Sequence, residues 1–128
     1  MVFEKHFTLA QALEILPTVV SRLEEVSRLK QQLDAKGYDV FKHQYLGGSG
    51  PNGQKFFPNE LEALIETIKG LNEQGIEIKD LDKGLIDFPH IRSNGEEVFL
   101  CYMLGEPTIV AWHDLREGFP GRRPLDEL

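Results

Sequence analysis

Residues 85–103 read LIDFPHIRSNGEEVFLCYM. Two runs rich in Ile, Val, Phe and Tyr flank Asn94-Gly95, the strongest short-range signal for a β-hairpin. The same chemistry continues on both sides. IEIKD (76–80) precedes the pair and TIVAW (108–112) follows it, with Asp82-Lys83-Gly84 and Gly105-Glu106-Pro107 as intervening turns. The pattern predicts a four-stranded antiparallel meander over 76–113.

Turn length sets the pairing. A two-residue Asn94-Gly95 turn puts Ile91 opposite Val98, Pro89 opposite Leu100 and Asp87 opposite Tyr102. At the next turn Pro107 has no N–H for a closing bond, so a three-residue loop is expected. That loop pairs Leu100 with Trp112 and Tyr102 with Val110. Side chains alternate along a strand, so two faces follow. One carries Leu85, Asp87, Pro89, Ile91, Val98, Leu100, Tyr102, Leu104, Val110 and Trp112. It is the more apolar face and is expected to form the core. The other carries Ile86, Phe88, His90, Arg92, Glu97, Phe99, Cys101, Met103, Ile109, Ala111 and His113. Its apolar middle and polar end suit a partner interface, a ligand surface or a covering helix. The register of strand 76–80 is left open.

The first half reads as helix. Thr8 and Gln11 fit a capping box, with Phe7 as a staple residue. Leu9, Leu13, Leu16, Val20, Leu23, Val26, Leu29 and Leu33 then repeat at coiled-coil-like spacing. Pro17 either kinks this helix or splits it in two. A second stripe, Leu61, Leu64, Ile65, Ile68 and Leu71, follows Pro58 and ends at Gly75. The expected fold is α+β: an N-terminal helical hairpin packed on a C-terminal four-stranded antiparallel meander. The 128 residues form one domain: helix 7–36, a Gly-rich connector 37–57, helix 58–74, sheet 76–113 and tail 114–128. GGSGPNG (47–53) lacks the Gly-Lys-Ser/Thr ending and the preceding strand of a phosphate loop, and is read as connector.

Composition narrows the partners. A formal net charge of -7 and pI near 5.1 argue against a general nucleic-acid or anionic-membrane surface. One cysteine cannot form an internal disulfide. The longest uncharged apolar run, VFLCYML (98–104), is far short of the ~20 residues that span a bilayer. These features fit a cytoplasmic protein.

The candidate chemistry lies in the second half. Cys101 and His113 are diagonal neighbours on one expected face and are two ligands towards a divalent-metal site, with His90 or Glu97 as a third. Paired zinc-ligand spacings of the Cys-x-x-Cys kind are absent, and packed histidines are the commoner case. The same two residues would make a thiolate–imidazole pair, although a mid-strand cysteine more often behaves as a small hydrophobe. Asp87, expected in the core opposite Tyr102, is a buried carboxylate that needs a partner. Asp87, Tyr102, Glu106 and Arg122 are the candidates for holding a small ligand. Arg116, Arg122 and Arg123 would hold a carboxylate or phosphate, or pair with nearby acids.

Some of these segments also carry a resemblance. FTLAQALEILP (7–17), IEIKDLDKGLIDFP (76–89), VFLCYMLGEPTIVAWHD (98–114) and GFPGRRPL (118–125) resemble the prokaryotic domain of unknown function family 2203. Asp114 stands where that pattern more often has Glu. The resemblance implies a small prokaryotic cytoplasmic protein and brings no activity with it. Two functional readings result. The first is a non-enzymatic binding or assembly module, with a second copy or another protein as partner. The second is a small-ligand or metal-binding protein, catalytic or not, using Asp87, Cys101, His113 and Arg122.

Overall fold

The structure is a computed structural model that describes residues 1–42, 44–45 and 58–128. Helix α1 (Leu9–Ala35) runs unbroken through Pro17. The expected capping box is formed: the Thr8 side chain accepts from the Gln11 N–H and the Gln11 side chain accepts from the Thr8 N–H. Pro17 and Leu13 both lie on the exposed side, where water can solvate the carbonyl that the proline ring leaves unpaired. The buried stripe is Ala12, Leu16, Val19, Leu23, Val26, Leu29 and Leu33, so Ala12 and Val19 take the places expected of Leu13 and Val20. Helix α2 (Asn59–Glu73) places Glu60 and Glu62 in its first turn, at the positive end of the helix dipole. Its Leu61 and Leu64 pack with Val26, Leu29 and Leu33 of α1. No described helix is long and apolar enough to cross a membrane.

Strands β1 (Tyr38–Asp39) and β2 (Gln44–Tyr45) form a short separate ladder. Of the expected connector, residues 43 and 46–57, including GGSGPNG, lie outside the described residues. The main sheet has five antiparallel strands in chain order: β3 (Glu77–Asp80), β4 (Leu85–Ile91), β5 (Glu97–Met103), β6 (Ala111–Asp114) and β7 (Arg123–Pro124). The architecture is therefore mixed α+β with five strands, against the four expected. The fifth comes from the segment read as a tail, and two residues including a proline are too short to show a period-two pattern.

The β4–β5 turn differs by one residue from the expected one. Arg92 N–H donates to the Glu96 carbonyl and Gly95 N–H to the Arg92 carbonyl. The loop is therefore the three residues Ser93-Asn94-Gly95, with Gly95 at a φ of 89°. This is the three-residue alternative in which Gly occupies the left-handed position. Asp87 consequently pairs with Cys101, and Phe88 with Leu100. A one-residue slip exchanges the faces of a whole strand. Ile86 and Phe88 thus join Val98, Leu100, Tyr102 and Trp112 in the core under α1, while Asp87 and Pro89 turn outward. The β5–β6 register, Leu100 opposite Trp112, is the expected one, although β6 begins only at Ala111. Ile109 is buried in the core and Val110 is exposed, the reverse of their expected sides.

The outward face is itself covered in part by the N-terminal end of the chain. Phe3 stacks on Phe99 with ring centroids 5.2 Å apart. Phe7 N–H donates to the Pro89 carbonyl beyond the last paired residue of β3. At the other end of the chain, β7 extends the sheet beside β6.

Two glycines separate backbone conformation from space. Gly95→Ala meets nothing within 4 Å and adds only the cost of a left-handed alanine, about 1 kcal/mol. At Gly84, φ 65°, a Cβ would lie 2.6 Å from Leu104 Cβ, so Gly84→Ala should cost about 2–4 kcal/mol. Urea denaturation of both variants measures the difference, and equal losses would contradict the Leu104 contact.

Candidate metal centre

Three adjacent strands bring three different ligand types together. β4 supplies Asp87, β5 supplies Cys101 directly across from it, and β6 supplies His113 one diagonal step away. One potential ligand atom from each lies within 4.8 Å of the other two. All three side chains are buried, at 1%, 0% and 2% exposure for Asp87, Cys101 and His113.

His113 is held at both nitrogens. Nδ1 donates to the Asp114 carbonyl at 2.6 Å, which can only accept. Nε2 faces both carboxylate oxygens of Asp87, at 3.0 and 3.1 Å. Burial works against the imidazolium. The Asp87 hydrogen bond, the Asp114 carbonyl and the Asp87 charge outweigh it, and the His113 pKa is raised. Burial also pushes the Cys101 thiol up to about 12, helped by the neighbouring Asp87 charge and hydrogen bond. Arg122 opposes that rise and Glu106 adds to it, so the charges of both reach the thiol.

A shell of further contacts surrounds the three. The Phe99 ring lies 5.4 Å from the His113 ring, and the Lys79 ammonium stands 4.7 Å over Phe99. Glu97 accepts from the Val2 N–H, the Phe3 N–H and His6 Nε2, at 2.8, 3.0 and 2.6 Å. Burial alone would raise the Glu97 carboxyl, but these donors hold it down at about 2. Glu106 closes its own turn by accepting the Met103 N–H, and its second oxygen accepts from Arg122 at 2.8 Å. Arg123 pairs with Glu117. Arg122 and Arg123 are thus engaged with acids of this chain.

The expected candidates divide. Cys101 and His113 lie together as expected, and Asp87 joins them instead of facing Tyr102. Tyr102 is in the core and its hydroxyl donates to the Glu106 carbonyl at 3.0 Å. His90 pairs with Val98 on the helix side, and its Nδ1 donates to the Phe7 carbonyl at 2.7 Å. The register carries it away from the other two, so it is no third ligand. Glu97, the other third ligand offered by the sequence, is instead taken up by Val2, Phe3 and His6, and Phe3 and Lys79 had no signal in the sequence as parts of this site. Only Glu97 sat on the correct face in the sequence reading.

Breaking the Asp87–His113 pair tests its part in the fold. Asp87→Ala should cost about 3–5 kcal/mol, because it leaves a buried imidazole without its carboxylate. The raised His113 pKa adds stability that is fully present below about pH 6.5 and is lost as pH rises through the folded-state value. Urea midpoints of the wild type should therefore fall as pH rises above about 6.5. His113→Gln should remove that part of the fall, and an unchanged slope would sink the assignment.

The family described as "Uncharacterized conserved protein (DUF2203)" matches residues 5–125. The chain belongs to this family. No curated protein and no solved structure matches it.

Proposed function

We propose that this family member is a metal-binding protein whose Asp87–Cys101–His113 cluster takes a thiophilic divalent cation of the zinc class. The observation that carries the reading is the convergence of one carboxylate, one thiol and one imidazole within 4.8 Å on three neighbouring strands. A thiol ligand favours zinc-like ions over magnesium or calcium, which prefer all-oxygen shells. Around a tetrahedral zinc with bonds of about 2.0–2.3 Å, donor atoms sit about 3.3–3.6 Å apart. Side-chain movements of about 1 Å would bring the three atoms to that spacing.

Two further features support it. The Nδ1–H bond to the Asp114 carbonyl orients the ring and leaves Nε2 facing the cluster, as in metal-bound histidines backed by a carbonyl. The charges also balance. A thiolate and a carboxylate neutralise a divalent ion, and the Glu106–Arg122 pair beside them adds nothing net. Before an ion enters, the Asp87–His113 hydrogen bonds hold the ligands in place. Uptake then displaces the shared Nε2 proton and the thiol proton.

Zinc titration by calorimetry in buffers of different ionisation enthalpy tests this. About two protons should leave per ion below the His113 pKa and about one above it. Cobalt should give a thiolate-to-metal absorption band that Cys101→Ser abolishes. Cys101→Ser and His113→Ala should each weaken zinc binding about a hundredfold or more. No zinc uptake by the wild type would overturn the reading.

The assembly reading has narrower support. The sheet face offered as a partner surface is covered, with Phe99 3% exposed. What supports a partner is apolar surface on the helices, where Leu13 is 38% and Ile65 44% exposed. Light scattering at micromolar concentration tests it, and a clean monomer would remove the homodimer.

A further inference from the structure

We propose that residues 1–6 form a removable cover over the buried cluster, and that ions and thiol reagents reach it when this cover lifts. What passes through depends on the metal reading, whereas the cover itself stands on contacts independent of it.

The two ends of the chain are held very differently. The C-terminal segment is woven into the sheet. β7 pairs with β6, Trp112 Nε1–H donates to the Pro124 carbonyl at 3.1 Å, and Leu125 N–H to the Val110 carbonyl at 3.3 Å. Arg92 Nε donates to the Leu128 carbonyl at 3.1 Å. Residues 1–6 hydrogen-bond to the sheet through one side chain, the Glu97 carboxylate with its three donors. Lys5 adds a contact to the Glu73 carbonyl on α2. Met1 and Val2 are 75% and 74% exposed.

The weakly held end lies in line with the site. Phe3 rests on Phe99, Phe99 rests on His113, and Cys101 is the next residue of β5 on the same face. Lifting Phe3 therefore exposes the ring that shields a ligand. A terminal segment fastened by one carboxylate, one ring contact and one lysine bond opens locally at far lower free energy than the whole domain unfolds.

Cys101 is the sole cysteine, so its reaction with dithionitrobenzoate reports opening directly, with or without metal. Phe3→Ala and Glu97→Gln should each speed that reaction about tenfold or more. Leu61→Ala, in the helix pair away from the cover, controls for lost global stability. Little acceleration in Leu61→Ala, at comparable or greater destabilisation by urea, supports the cover. Rates that track global stability in all three variants, or that do not change, overturn it. In the zinc-loaded protein, release to a chelator should speed by a similar factor in the two cover variants, with affinity unchanged within about threefold. Faster thiol reaction without zinc uptake by any variant would leave the cover standing and sink the metal reading.

Discussion

The hydrogen bond from Arg92 N–H to the Glu96 carbonyl fixes the side of the sheet on which β4 presents each residue. Closing the loop there, with Gly95 in the left-handed region, sets Asp87 against Cys101. Closing it one residue tighter would bury Asp87 beneath α1 and expose Ile86 and Phe88. That arrangement would strand a carboxylate among Leu16, Leu23 and Trp112 and leave two large side chains outside. The apolar demand of α1 and the polar chemistry of the outer face are thus satisfied by the same loop geometry.

An outward face with a buried carboxylate, thiol and imidazole needs covering, because the sheet has helices on one side only. The N-terminal end serves, held by a glutamate of the sheet, and the Glu106–Arg122 pair stands near enough for its charges to reach Cys101. Glu97 gathers three donors from residues 2–6, and Glu106 takes Arg122. Covering removes water from the cluster, which strengthens the Asp87–His113 interaction and makes an ionised thiol costly. The Asp87 and Asp114 bonds outweigh that desolvation for the His113 imidazolium, whereas for Cys101 nothing outweighs it and the thiol stays neutral.

Much of the fold was legible in the sequence because its signals are local. The Thr8–Gln11 cap, the continuity of two amphipathic helices, the β5–β6 register and the pairing of Cys101 with His113 on one face all follow from neighbouring residues. The position of Asp87 was not legible. Ser93-Asn94-Gly95 satisfies a two-residue and a three-residue turn equally well, and only packing against α1 chooses between them. The cover was not legible either, because Phe3 meets Phe99 across 96 positions of sequence with no periodicity to announce it. Strand β7 escaped for a related reason: its pairing depends on where Trp112 and Ala111 have already been placed.

The geometry also separates two chemistries that a cysteine beside a histidine suggests. A nucleophile needs a thiolate, and burial beside Asp87 pushes the Cys101 thiol up to about 12, so that it stays protonated at neutral pH. A neighbouring base could draw the proton away, but His113 is committed at Nδ1 to a carbonyl and at Nε2 to Asp87. It has no free lone pair to offer Cys101 in that arrangement. A divalent cation meets no such obstacle. On the proposed metal reading it would take the place of the Nε2 proton, and its own charge would supply what the buried thiolate lacks. The contacts that quench Cys101 as a nucleophile therefore leave it suited to be a ligand.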